Sequence, residues 1–105
     1  MSDSATGLDA QLDALGHADR RTVLRALLRA DRRDETPVEI DRLTAGDGNR
    51  GIQLHHVHLP KLEDLGFVRA NRDRGHVTVG PSFEEIEPWL EFLDENRDEL
   101  PTDWV

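Results

Sequence analysis

Apolar positions along the first two thirds of the chain recur at helical spacing. Leu8, Leu12 and Leu15, followed by Gly16 as a stop, predict a short amphipathic helix over residues 7–15. Asp19 is placed to cap a second helix with Val23, Leu24, Leu27 and Leu28 as its apolar face. Arg20, Arg21, Arg25 and Arg29 lie along it, and a solvated face is the expectation for them. Thr36-Pro37-Val38-Glu39 joins an N-cap, a proline at the first helical position and a capping-box glutamate, which predicts a third, short helix burying Ile40 and Leu43. AGDGNRG, with three glycines in seven residues, predicts a turn or loop. A fourth helix is expected from about Ile52 to Leu65, ending on Gly66 as a left-handed cap. Pro60 lies inside it, at a cost of about 3 kcal/mol in an isolated helix, and is expected to bend it.

The spacing then changes to two. In FVRANRDRGHVTVG, Val68 and Ala70 share one face of a first strand, and Val77 and Val79 share one face of a second. Arg72-Asp73-Arg74-Gly75 joins them, so a hairpin with a basic tip is expected. A last helix carries Ile86, Trp89, Leu90, Leu93 and Leu100, with Ser82 and Glu85 as a capping box and Pro88 near its start. Four helices, a hairpin and a helix make a mostly α fold with a β-hairpin wing, the layout of a winged helix-turn-helix. The 105 residues form one domain, with 8–80 as the winged-helix core and 82–100 as a C-terminal helix.

Composition sharpens this picture. No stretch approaches a membrane span and the start MSDSATGLDA has no secretion-signal pattern, so a cytoplasmic location and no membrane partner are expected. The absence of cysteine removes disulfides, thiolate metal sites and cysteine nucleophiles. Asp and Glu number 22 against 13 Lys and Arg, and Lys61 is the single lysine, a bias that resembles the proteomes of halophilic archaea. The charge is unevenly spread: residues 17–76 hold twelve bases and ten acids, whereas 77–105 hold one base and nine acids. The middle of the chain is therefore locally basic on an acidic background.

The stretch LHHVHLPKL, residues 54–62, holds three of the five histidines. Turning about 100° per residue places Leu54, Leu59, Leu62 and Leu65 in one apolar arc, together with His55 and His58. His56, Gln53, Val57 and Lys61 fall outside it. A metal site would need His55 and His58 with a further ligand such as His17 or His76, and the alternative is two part-buried core histidines. The latter is the expectation, with no metal and no cofactor. Gln53, His56 and Lys61 offer donors and acceptors suited to base edges or phosphates, and Arg72 and Arg74 could reach a phosphate or minor groove. Trp89, Phe92 and Leu93 add an apolar edge to the acidic last helix, which points to a homodimer using the first helix, Leu8 and Leu12, as partner surface. Trp104 is expected near the same seam.

LDALGHADRRTVLRALL followed by LHHVHLPKLEDLGFV resembles the small ArsR-like winged-helix proteins of halophilic archaea, many of them domains of unknown function. The resemblance covers residues 8–80, and HLPKLEDLGFV, His58 to Val68, is its most specific part. It implies a dimeric regulator of transcription bound to double-stranded DNA, with 52–65 as recognition helix and 67–80 as wing. By position, Gln53, His56, Val57 and Lys61 would face DNA, while Leu59, Leu62 and Leu65 would hold the helix in the fold. The cysteines of metal-sensing ArsR proteins have no counterpart here.

With neither a phosphate loop nor a nucleophile elbow, and with Glu84/Glu85 and Asp94/Glu95 on an acidic helix, no catalytic role is expected. The functional expectation is a sequence-specific, homodimeric DNA-binding regulator. The alternatives are a winged-helix protein-interaction module and a histidine-based metal-responsive regulator.

Overall fold

In the computed structural model, which describes residues 7–44 and 47–101, helices α1 (Leu8–Leu15) and α2 (Ala18–Arg32) come first. The cap of α2 differs from expectation. His17, not Asp19, is the N-cap residue, and its Nδ1 accepts the Asp19 N–H at 3.1 Å. Val23, Leu24, Leu27 and Leu28 are buried as the spacing predicts. The arginines of α2 are not simply solvated. Arg20 donates to Asp13 O (2.7 Å) and Ala14 O (3.3 Å), and Arg21 donates to Leu15 O (2.7 Å). Those carbonyls lie at the C-terminal end of α1, where Asp13 O also accepts the Gly16 N–H, so the guanidiniums cap one helix from the first turn of the next.

The predicted capping box at residues 36–39 does not form. Val38–Glu39 is instead a short strand, β1, and only Ile40–Leu43 is helical (α3), with no side-chain cap on it. Tertiary pairing overrides the local signal here, because β1 finds a partner in the hairpin. Strands β2 (Val68–Asn71) and β3 (His76–Val79) pair antiparallel, and β1 adds to the far side of β3 in the order β1-β3-β2. Val38 and Ala70 both lie opposite Val77, and Val68 lies opposite Val79, so the apolar residues share the inner face as their alternation predicts. The Ile40 N–H donates to Gly75 O at 2.8 Å and ties the hairpin turn to α3.

The glycine-rich stretch, expected as a turn or loop, is helical from Gly48 onward. A helix runs from residue 48 to 64 in three parts: α4 (Gly48–Gln53), a π-helical turn (Leu54–His58) and α5 (Leu59–Asp64). Asp47 caps it by accepting from Asn49 N (3.0 Å) and Arg50 N (3.2 Å). Its far end closes on Gly66 at φ +81°, with Gly66 N–H donating to Glu63 O and Phe67 N–H to Leu62 O, each at 3.0 Å. This is the left-handed cap that the sequence predicts. Pro60 does disturb the helix, but by widening a turn. It has no N–H for His56 O and its ring crowds that carbonyl, and the Leu59 N–H reaches Leu54 O, five residues back.

Helix α6 (Phe83–Glu95) begins at Phe83 with Pro88 inside it, and Ser82 makes no capping bond. A 3-10 turn (Arg97–Glu99) precedes Leu100. One core joins α1, α2, the long helix, the sheet and α6, with Phe67, Leu24, Leu27, Ile40, Leu59 and Ile86 among its fully buried side chains. The result is a mostly helical, winged helix-turn-helix fold. Among the described residues no helix is long and apolar enough to cross a membrane.

Candidate nucleic-acid interface

The turn before the long helix is held from both sides. Thr44 Oγ1 donates to Asp41 O (3.2 Å), and the Asp47 N–H donates to Thr44 O (2.9 Å). The helix it launches buries Leu54, His58, Leu59 and Leu62 against the core. Its opposite side is a stripe of four exposed residues, Ile52, Gln53, His56 and Val57. Gln53, His56 and Val57 therefore lie where the sequence places them, outside the packed arc. Ile52 joins them, which the apolar pattern alone does not signal.

The cations around this stripe are held by carboxylates of the same chain. Lys61 is half exposed, and its ammonium is ion-paired with Asp13 of α1. Arg50 donates to Asp19 Oδ1 from Nε (3.2 Å) and from a terminal nitrogen (2.7 Å). Arg72 donates to Glu63 Oε1 at 2.8 Å, while Glu63 Oε2 accepts the Ala70 N–H at 3.2 Å, so one carboxylate of α5 fixes both strand and tip of the wing. Arg74 stays exposed beside Gly75, with its backbone N–H on Asn71 Oδ1 at 3.2 Å. Sequence spacing could not reveal these pairings, since Lys61 to Asp13 and Arg50 to Asp19 each join distant segments. Lys61 holds the Asp13 carboxyl below the usual carboxylate range, chiefly through their hydrogen bond.

Behind the stripe, the histidines separate. His58 is 3% exposed and its ring lies 4.1 Å, centroid to centroid, from that of His17. His55 is only partly buried and lines a cleft with Asp41, Thr44 and Asp47, and His76 sits on β3. Of the possible metal partners for His58, the fold thus brings His17 and Asp19 close, with ligand atoms within 4.8 Å of one another, and not His55 or His76. The nitrogens are poorly set for a cation. His58 Nδ1 lies 3.3 Å from the Arg20 guanidinium, a pure donor, and His17 Nδ1 accepts the Asp19 N–H. Each neutral ring then carries its proton on Nε2, where a metal would need a lone pair. Burial, then His17 and Arg20, push the His58 imidazole below its ordinary pKa, opposed by Asp19.

The residues predicted for a dimer seam fall on one side of the molecule, along α1 and α6. Leu8, Leu12 and Phe92 are exposed, and Leu93 packs partly on the core. Trp89 is partly buried, with its Nε1–H on Gln11 Oε1 at 2.6 Å. A cleft between Leu12, Leu15, Trp89, Leu93 and Leu100 runs along this seam. Trp104 lies outside the described residues.

Residues 47–78 match a family described as a domain of unknown function (DUF7344). The match takes in the long helix and the hairpin, less than half of the chain. No curated protein and no solved structure matches the chain.

Proposed function

We propose that this chain is a sequence-specific DNA-binding transcriptional regulator that acts as a cytoplasmic homodimer, in a cell with a salt-rich interior. The observation that carries the reading is the exposed stripe of Gln53, His56 and Val57 on a helix that follows a tight turn and is flanked by a hairpin with Arg74 at its tip. An amide and an imidazole on a helix of this kind suit the donors and acceptors of base edges in a major groove. Two such helices in a dimer would meet successive major grooves about 34 Å apart.

Salt sets the terms of binding. Three phosphate contacts per subunit would lose about four powers of ten in affinity between about 0.1 M and 3 M salt. Lys61, Arg50 and Arg72 already satisfy much of their charge within the protein, which suits a reader that relies on base contacts more than on phosphates.

The test is selection from random duplex DNA at multimolar KCl with the full chain. Enrichment of a pseudo-palindrome, lost in the double variant Gln53→Ala, His56→Ala, supports the reading. Failure to enrich any sequence, together with a stable hetero-complex with another protein, would favour an interaction module built on the acidic α6 and its exposed Phe92.

A further inference from the structure

Among the described residues, the large exposed apolar side chains are Leu8, Leu12, Ile52, Val57 and Phe92. Leu8, Leu12 and Phe92 belong to the α1 and α6 seam, which leaves Ile52 and Val57 alone on the helix of residues 48–64. They are 58% and 46% exposed, and they stand beside Gln53 and His56. Burial in the fold does not explain them, and within the π-turn Val57 lies outward while its neighbour His58 is buried in the core.

We infer that this stripe reads A·T base pairs, with Ile52 and Val57 against thymine methyl groups and Gln53 on the adenine edge. The inference rests on the DNA-binding reading above and names its target. Thymine is the one base that presents a methyl group in the major groove, and apolar side chains recognise it by contact. Gln is suited to the N6 and N7 atoms of adenine, whereas guanine is most often read by Arg or Lys. The stripe itself holds neither, and the nearest cations, Arg50 and Lys61, are paired with Asp19 and Asp13.

Charge favours a nucleic acid as the occupant. Residues 48–76 carry five bases (Arg50, Lys61, Arg69, Arg72, Arg74) and three acids (Glu63, Asp64, Asp73), a net +2, against eight bases and nineteen acids in the rest of the chain, a net −11. The helix and hairpin are thus the part of the surface on which a polyanion is least repelled. Apolar contact has a further consequence, since it is not weakened by salt as phosphate pairing is.

The experiment uses the best duplex selected at multimolar KCl, with each thymine replaced in turn by deoxyuracil, which removes only the methyl group. An A·T-rich half-site is expected, in which one or two replacements weaken binding about 3- to 5-fold each, the worth of one buried methyl. Ile52→Ala and Val57→Ala, at exposed positions where folding is unaffected, should each abolish the penalty at their own thymine. A G·C half-site, or affinity indifferent to every replacement while binding persists, overturns this inference and leaves the DNA-binding reading standing. No enriched duplex at all overturns both.

Discussion

The imidazoles of His17 and His58 lie 4.1 Å apart at an interplanar angle of 42°, joining the cap of α2 to the π-turn of the long helix. One ring takes the Asp19 N–H in the first turn of α2 and the other is sealed under the exposed stripe. The helix that presents Ile52 to Val57 is thereby anchored through a titratable contact.

That contact predicts a pH dependence of stability. His58 titrates below its ordinary 6.5 when folded, so the unfolded chain binds its proton first. Its contribution is complete above about pH 6.5, is lost as pH falls toward the folded value, and is level below that. His17, Asp19 and Arg20 face the ring, and Arg50 acts on it through Asp19. Urea unfolding from pH 8 to pH 5 should show the decline, and a His58→Phe variant should show less of it. Equal slopes in the two proteins would sink the assignment.

Asp13→Asn should release Lys61. An exposed pair of this kind contributes about 0–1 kcal/mol, so the melting temperature should hardly move. If Lys61 then reaches a phosphate, affinity for a selected duplex should rise at low salt, and the slope of log affinity against log salt should steepen by about one. An unchanged slope would show that Lys61 stays clear of DNA even when free.

The π-turn can be tested through Pro60. Pro60→Ala restores an N–H that can reach His56 O, and it should stabilise the fold by about 1–3 kcal/mol, within the range that separates the two residues in a helix. Closing the turn into α-helix would shift Ile52, Gln53, His56 and Val57 by about one residue against Leu59 and Leu62. A gain in unfolding free energy with a loss of duplex binding is the expected pair of results. Retained binding would mean that the widened turn does not set the stripe.

Glycines divide by what surrounds them. A Cβ on Gly80 would sit 2.5 Å from Gly66 O and 2.7 Å from Val68 N, both backbone atoms, so Gly80→Ala should destabilise by about 1–3 kcal/mol. Around Gly48, in the first turn of α4, a Cβ meets nothing within 4 Å, and Gly48→Ala should gain up to about 1 kcal/mol. Urea midpoints that move the same way for both would contradict these surroundings.

The proposed dimer makes an opposite demand on salt from DNA binding. Its seam joins α1, with Asp9 and Asp13, to α6, with Glu84, Glu85, Glu87, Glu91, Asp94 and Glu95, so two copies should associate more tightly as KCl screens them. Sedimentation from 0.1 to 3 M KCl should show the shift, and Phe92→Glu should abolish it. A monomer at every salt would remove the dimer from the reading.

Much of the fold is legible in the sequence because burial imposes periodicity. Val23, Leu24, Leu27 and Leu28 on α2, the alternating valines of the hairpin and the cap at Gly66 are local patterns with local causes. The division of the histidines is legible too, with His56 outward and His58 inward. The third helix is legible as well, at Ile40 to Leu43, but strand β1 before it is masked by a capping box that loses to strand pairing, and the start of the long helix by Gly48 and Gly51, poor helix formers that Asp47 overcomes as a cap.

The helical framework, the hairpin and the outward face of Gln53, His56 and Val57 follow from spacing within single segments, so they can be read along the chain. Which charges meet is set by the docking of the elements. Lys61 with Asp13, Arg50 with Asp19, Arg20 with the end of α1 and His17 with His58 join residues from different elements. Such pairings depend on how helices dock, and no spacing along the chain encodes the distance between two side chains on separate helices.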